Sequence, residues 1–532
     1  MFFLNRKSVG VTPTEVWFMS MERSGLQMSA LLQTKNDFSI LRYNKNVIYF
    51  SRDEENGVRY MRRTKIICTL GPAVDSDEMV AQLMKNGMNC ARLNFSHGTH
   101  EEQKIRMDRV KNLRKKLNLP VALLMDTKGP EIRLKDFEGG STVLEAGQTF
   151  ILDTDREKLG DQNRIGLTYD KLYKFVQKDS RILIDDGKIA MDVVEIRNDA
   201  VVCRVINGGK ISNHKSINIP NVNIDMPYIS EVDRRDILFA VEQNVDYIAA
   251  SFVRSADDVR RLRNLLKDND AEHIRIISKI ENRQGVDNMD EIIEASDGVM
   301  VARGDLGVEI SFQEIPAIQK KLIAKCNEAG KIVVTATQML ESMTTNPRPT
   351  RAEVSDVANA IYDGTSAIML SGESAAGAYP IEAVKTMAEI ATCTEKNLDY
   401  DSLMKRDNMI LEHNICNAIC SSAYSAATYL DAKAIVVVTM SGKTAELIAN
   451  FKPKCPIIAA TVSKQGYNQL ALKWGVQPIM AEQQEDDDSL FPYAVSKARE
   501  TELVEIGDTI VAVAGSRHCK MGVTDMLRIT HA

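Results

Sequence analysis

No apolar run in this 532-residue chain approaches the length that crosses a bilayer, so nothing in it reads as a helical membrane span. Positive charge is not in excess either: Lys and Arg total 67 against 73 Asp and Glu, a net −6. That mild acidity gives no support for a nucleic-acid or anionic-membrane partner. Cysteine is present but unpatterned, with nine residues, no C-x-x-C and no regular spacing. This argues against a disulfide frame and for reduced thiols. The chain reads as a soluble enzyme, expected in the cytoplasm, and too long for one ordinary core.

Residues 1–60 carry no sustained period and end in the charged stretch Arg52-Asp-Glu-Glu-Asn56. Met1–Leu4 is too short for a signal-peptide core. Acids are absent before Glu15, which suits an organelle presequence, yet arginine is sparse. The favoured reading is a dispensable extension, with Met61 as an alternative start. A presequence would instead make the protein organellar.

From Arg62 onward, short apolar runs alternate with amphipathic segments. Strands are expected at Lys65–Thr69, Cys90–Ser96, Val121–Thr127, Tyr247–Val253, Ile274–Ile280, Gly298–Ala302, Ile332–Thr337 and Ala367–Ser371. Helical patterns lie between most of them, at Glu78–Asn86, Glu102–Leu117, Asp257–Lys267, Ile315–Ala329 and Ile381–Glu395. Eight such units are the count that closes an α/β TIM barrel, (β/α)8, over residues 61–129 and 226–398. Residues 130–225 break the alternation with short strand-like runs and turn signals such as Asp185-Asp186-Gly187 and Asn207-Gly208-Gly209. They read as an inserted all-β domain placed to act as a lid. Residues 399–532 begin a C-terminal α/β domain, with strands at Ala434–Met440, Pro456–Val462 and Thr509–Ala514.

Lys279 and Glu281 stand two residues apart in an apolar run, so a strand sends both to one side. Arg92, Asn94 and Ser96 repeat that habit upstream. Inward charges are costly to desolvate unless they pair or hold a ligand, and either a structural ion pair or a site satisfies them. The other strand ends favour a site. They bring His97, then Asp126, Thr127 and Lys128 with Glu131 and Arg133 just beyond, then Ala302-Arg303-Gly304-Asp305, then Thr337. Glu281 and Asp305 are two oxygen donors for a hard divalent ion. That favours Mg²⁺ (or Mn²⁺) over zinc, since the mouth offers no paired His or Cys. Lys and Arg beside such an ion suit a substrate rich in negative oxygens.

Long stretches then carry a resemblance. They are Thr64-Lys-Ile-Ile-Cys-Thr-Leu-Gly-Pro72, Ala91-Arg-Leu-Asn-Phe-Ser-His-Gly98, Met125-Asp-Thr-Lys-Gly-Pro-Glu-Ile-Arg133, Ile277-Ser-Lys-Ile-Glu-Asn282, Met300-Val-Ala-Arg-Gly-Asp-Leu-Gly307 and Ala336-Thr-Gln-Met-Leu-Glu-Ser-Met343. From Met61 to the C-terminus the chain resembles the pyruvate kinase family, its bacterial-type members most closely. The resemblance implies phosphoryl transfer from phosphoenolpyruvate to ADP, giving pyruvate and ATP, the last step of glycolysis. It implies that Glu281 and Asp305 hold Mg²⁺, and that Lys279 neutralises the phosphoryl group in flight. Thr337 would lie near the enolate carbon and Arg92 on the phosphate, with backbone N–H groups around Ala302, Arg303 and Gly304 holding the carboxylate. Asn94, Ser96, Asp126 and Thr127 match the K⁺ site; Asn94, His97 and Arg133 match nucleotide contacts under the lid. Glu131 resembles the acid found in K⁺-dependent members, where K⁺-independent ones carry lysine. Thr439, Ser441, Lys443 and Thr444 match a loop that holds a sugar-phosphate effector, and a homotetramer is implied. Ser374 departs from the threonine many relatives carry.

Other signals are set aside. Gly442-Lys443-Thr444 resembles the end of a P-loop, but position 437 is Val rather than the glycine required. Glu485–Asp488 reads as a solvated acidic loop, and His413, His518 and His531 as surface or interface residues. A Mg²⁺-dependent lyase or aldolase would share the carboxylate pair, but it gives no purpose to a lid carrying Arg133. A catalytically dead binding protein is disfavoured because every acid and base named is present.

Overall fold

The computed structural model describes residues 50–52, 59–155, 157–400, 402–403, 413–484, 486–516 and 523–532. Most of the 1–60 extension, together with His518 and Glu485, lies outside the described residues. Within that extension, Phe50–Arg52 pairs antiparallel with Arg59–Met61, an element the sequence reading did not expect.

Eight strands close into a barrel, and every pairing around it is parallel. In chain order they are Lys65–Thr69, Cys90–Asn94, Ala122–Asp126, Tyr247–Ala250, Arg275–Ile280, Gly298–Ala302, Ile332–Ala336 and Ala367–Leu370. Several end earlier than expected. Ser96, Thr127, Glu281 and Thr337 therefore stand just past their strands, where backbone leaves the ladder and side chains face the mouth. Helices are cut where capping chemistry cuts them. Thr99 with Glu102 and Thr350 with Glu353 form reciprocal capping boxes at the starts of His100–Leu117 and Arg351–Asp363.

The inserted segment between the third and fourth barrel strands folds as a seven-stranded sheet with a two-stranded companion. It has its own apolar core, including Phe150, Ile165, Ile182 and Met191. Its entry and exit are pinned by one helix, Glu231–Glu242. Asp233 accepts the N–H of Gly129 at 3.1 Å, and Asp236 pairs with Lys128 at 3.2 Å.

The C-terminal sheet runs Val476–Met480, Ile457–Thr461, Ala434–Thr439, Thr509–Ala514 and Met526–His531, the last antiparallel to its neighbour. Its first and last strands were not expected from the sequence. The acidic run is also corrected: Asp486 caps the helix Asp487–Glu500 by accepting from Ser489 N, so Asp487 and Asp488 form its first turn. Acids there complement the helix dipole rather than merely being solvated. Leu472 of this domain packs, fully buried, into the apolar floor of the barrel with Ile67, Leu124 and Tyr247. Burying such a side chain is worth ~1.5–3 kcal/mol.

Candidate active site

At the end of the barrel where the strands terminate, a buried network of charge is centred on Lys279. Its Nζ lies 3.1 Å from Asp126 Oδ1, 2.8 Å from Ser251 Oγ and 2.8 Å from Glu281 Oε1. Arg92 completes the network from the second strand, with Nε 2.6 Å from Asp126 Oδ2 and Nη1 2.9 Å from Thr69 Oγ1. Arg92, Asp126, Lys279 and Glu281 are all buried. The two-residue spacing of Lys279 and Glu281 thus does bring both to one interior, although only Lys279 lies within the strand.

The electrostatics follow from three carboxylates facing two cations. Burial by itself would lower the Lys279 pKa, but Asp126, then Glu281 and Asp305, reverse this and hold it above its ordinary value. Burial also favours the neutral acid at Asp126, yet Arg92 and Lys279 outweigh it and the net shift is downward. Glu281 has less help: burial pushes it up to about 8, against Lys279, while Asp305 adds to the rise. Its Oε2 accepts the N–H of Phe252 at 2.7 Å, whereas Oε1, though close to Lys279, lacks well-aligned hydrogen-bond geometry. The donor set therefore lacks positive charge, and its oxygens are those a hard divalent cation takes.

Thr337 sits in the left-handed region, with φ 69°, followed by Gln338 at 53°. A β-branched residue there is strained, and such strain concentrates at functional positions. The turn is held from both sides. Thr337 Oγ1 accepts the N–H of Gly304 at 2.7 Å, and Arg303 donates from Nη2 to the Thr337 carbonyl at 2.7 Å. Arg303 also pairs with Asp356 at 2.8 Å. Its guanidinium thus braces the seventh strand's exit. The backbone of Ala302, Arg303 and Gly304 enters the short helix Arg303–Glu309, which carries Asp305.

On the second strand's exit, Asn94 Oδ1 accepts the N–H of Ser96 at 3.0 Å, and His97 is exposed. Thr127 is more committed than expected: its carbonyl accepts Ser251 Oγ at 2.7 Å and its Oγ1 accepts Ser251 N at 3.0 Å. Arg133 lies in the lid strand Ile132–Arg133 and clasps Glu131. The lid also meets the mouth through Asn218, whose Nδ2 donates to Glu309 at 2.8 Å, on the helix that carries Asp305.

Ser251 is the residue that sequence reasoning missed. It touches Asp126, Thr127 and Lys279 at once. The signal was available: Ser251 follows the fourth strand, and its place at a strand's C-terminal end is where barrel chemistry gathers.

Thr439, Ser441, Lys443 and Thr444 line one cavity of about 300 Å³ in the C-terminal domain. Gly442 adopts φ 91°, turning the chain so that Thr439 Oγ1 accepts its N–H at 3.0 Å. Thr444 Oγ1 lies 2.6 Å from Thr524 Oγ1.

With this geometry, comparison with known proteins is decisive. A family model described as the pyruvate kinase barrel domain matches residues 61–384, and one for the pyruvate kinase alpha/beta domain matches 417–530. The chain belongs to the pyruvate kinase family. It is 47% identical to the pyruvate kinase of Clostridium acetobutylicum over 469 residues, covering 88% of this chain and 99% of that one. It is 49% identical to the enzyme of Geobacillus stearothermophilus over 470 residues, 88% of this chain and 80% of the relative. A solved pyruvate kinase structure from Cryptosporidium parvum superposes with a TM-score of 0.83 at 40% identity, covering 88% of this chain and 96% of that one. The chain is therefore an enzyme of a phosphotransferase family. Among the described residues, no helix is long and apolar enough to cross a membrane.

Proposed function

We propose that this chain transfers the phosphoryl group of phosphoenolpyruvate to ADP. The observation that carries the reading is the buried ammonium of Lys279, held by Asp126, Ser251 and Glu281 at the barrel mouth. A transferring phosphoryl group needs positioning and charge neutralisation more than a protein base. Lys279 and Arg92 supply fixed positive charge, already oriented, so little reorganisation is needed during transfer. The bond from phosphorus to the enol oxygen breaks as one to the terminal ADP phosphate oxygen forms. The enolate carbon then takes a proton, with Thr337 and a water as its source.

Glu281 and Asp305 are the residues that would hold Mg²⁺ (or Mn²⁺), which fits the surplus of carboxylate over cation in the donor set. Bound there, the ion supplies Lewis-acid neutralisation of phosphate and carboxylate oxygens. K⁺ is assigned to Asn94, Ser96, Asp126 and Thr127, whose donors are mostly neutral oxygens. Backbone N–H groups at Ala302, Arg303 and Gly304 orient the substrate carboxylate, the Gly304 N–H by exchanging its bond to Thr337 Oγ1 for one to substrate. Asn94, His97 and Arg133 face the nucleotide beneath the lid, whose Asn218–Glu309 contact ties closure to the helix bearing Asp305.

A sugar phosphate is the effector assigned to the cavity of Thr439, Ser441, Lys443 and Thr444, and Lys443→Ala is expected to weaken activation by it. The protein is assigned to the cytoplasm, as a homotetramer. A coupled assay of pyruvate formation tests the central reading: product must require phosphoenolpyruvate and ADP together. Pyruvate and inorganic phosphate released without ADP would mark hydrolysis instead, and no product at all would leave a lyase acting on another substrate or a binding protein.

A further inference from the structure

A large cavity beside the barrel lies away from its mouth. It opens beneath the floor, where strands begin, and encloses about 1140 Å³ between barrel and C-terminal domain. That size exceeds the usual ligand pocket of ~300–1,000 Å³. Arg275, Gly330 and Lys331 line it from the barrel; Glu446 and Lys473 line it from the other side.

Lys473 points to a ligand. Its side chain is 7% exposed, and its Nζ meets a protein oxygen, the Gly330 carbonyl, at a long 3.3 Å. Among the described residues no carboxylate lies within ion-pair distance of it; Glu446 is taken up by Arg275. Burial lowers its pKa to about 8, Glu446 opposes this, and Arg275, Lys331 and Lys452 reinforce it. The acids in the lining do not answer that charge. Asp297 is held by Arg263 at 3.0 Å and by the N–H of Ile276 at 2.8 Å, Glu272 is exposed, and Glu328, half-buried in the same lining, forms no ion pair with Lys473. A buried ammonium without a counter-charge is destabilising, so its presence beside an open cavity calls for an anion.

We propose that this cavity is a second anion site, taking a ligand whose phosphate group meets Lys473 and whose polar body lies towards Glu328 and Asn450. The site is separate from the effector loop, although Ser441 and Lys443 border both cavities. Arg275, on its wall, opens the strand that carries Lys279.

The test uses pyridoxal phosphate, an amine-reactive aldehyde bearing a phosphate, on the full chain, with borohydride trapping and site-resolved mass spectrometry. Lys473 is expected to be labelled near pH 8, where its amine is partly neutral. Inorganic phosphate is expected to slow that labelling several-fold, and to do so equally in Thr439→Ala, which alters the effector loop alone. No labelling at Lys473, or labelling that phosphate leaves unchanged, overturns the proposal. In phosphate-free buffer Lys473→Met is expected to melt no lower than the unaltered chain, because methionine buries no charge. A clearly lower melting temperature would instead make Lys473 a structural tie between domains, and would also overturn it.

Discussion

Glu131 accepts two hydrogen bonds from the guanidinium of Arg133, 2.9 Å from Nε and 2.6 Å from Nη2. Burial raises the Glu131 pKa and Arg133 opposes it, so the acid at the root of the lid already has a counter-charge. This sharpens the K⁺ argument. Glu131→Lys would exchange a carboxylate for an ammonium and also release Arg133 towards the nucleotide. A change of two unit charges within ~5 Å is worth several kcal/mol at an effective dielectric of about 20. Turnover of the unaltered chain is expected to be low in Na⁺ or tetramethylammonium and restored by K⁺. Glu131→Lys is expected to relieve that need in part, with an altered KM for ADP. Full activity of the unaltered chain without K⁺ refutes the idea.

Glu281→Gln and Asp305→Asn each remove one anionic oxygen donor with little change of shape. Each is expected to lower kcat by ~10²–10³-fold or more. Glu281→Gln retains an oxygen for the Phe252 N–H, so melting temperature should hold. Near-normal kcat in either variant at ordinary Mg²⁺ would remove that residue from the metal site.

Ser251 positions Lys279 rather than touching substrate. Ser251→Ala deletes the 2.8 Å contact with Nζ and the 2.7 Å bond to the Thr127 carbonyl. A hydrogen bond to a charged group is worth ~1.5–3 kcal/mol, or roughly ten- to a hundredfold in rate if it is felt mainly in the transition state. The expected signature is a fall in kcat with little change in the KM for ADP. Equal loss in melting temperature and none in kcat would mark Ser251 as structural only.

Most of the barrel was legible because its strands are continuous apolar runs bounded by polar exits, as Gly298–Ala302 and Lys65–Thr69 illustrate. The pairing of Lys279 with Glu281 was legible from the two-residue period. The bracing role of Arg303 was not, because its partner Asp356 lies 53 residues away and no local pattern joins them. Val476–Met480 escaped notice because Gln477 and Pro478 interrupt its apolar pattern, and an edge strand tolerates both. The cradle of Thr439 to Thr444 was visible as a strand-to-helix turn, but its cavity depends on Thr524, far along the chain.

Lys65 gives a pH prediction. It is buried where the first strand begins, with Nζ donating to the Val476 carbonyl at 2.8 Å. Burial first, and Arg62 second, lower its pKa from 10.5 to about 7, while Glu395 opposes them. Between those values the unfolded chain holds a proton that the folded chain has lost, so this residue's contribution to stability rises with pH across that window. Chemical denaturation of the unaltered chain and of Lys65→Met at pH 7 and at pH 9 checks it. The stability difference in favour of Lys65→Met should shrink as pH rises. A difference that grows with pH contradicts the argument.

Tyr60 lies within the stretch first read as dispensable, yet it joins the knot that fastens the first strand. Glu395 accepts the N–H groups of Arg63 at 2.8 Å and Thr64 at 2.6 Å, and Tyr60 OH donates to the same carboxylate at 3.3 Å. The Arg63 guanidinium lies 5.0 Å from the Tyr60 ring and 5.2 Å from the Tyr400 ring, and also reaches the Lys454 carbonyl. A chain starting at Met61 keeps every residue of the mouth and should retain activity. It loses one face of the Arg63 sandwich and two hydrogen bonds, Tyr60 OH to Glu395 and Arg63 Nη1 to Tyr60 OH, together worth about 1–3 kcal/mol. A melting temperature lower by a few degrees is expected for that chain and for Tyr60→Ala in the full chain, but not for a chain starting at Arg59. If all three melt with the unaltered protein, Tyr60 contributes nothing and the stretch before Met61 is dispensable as first read.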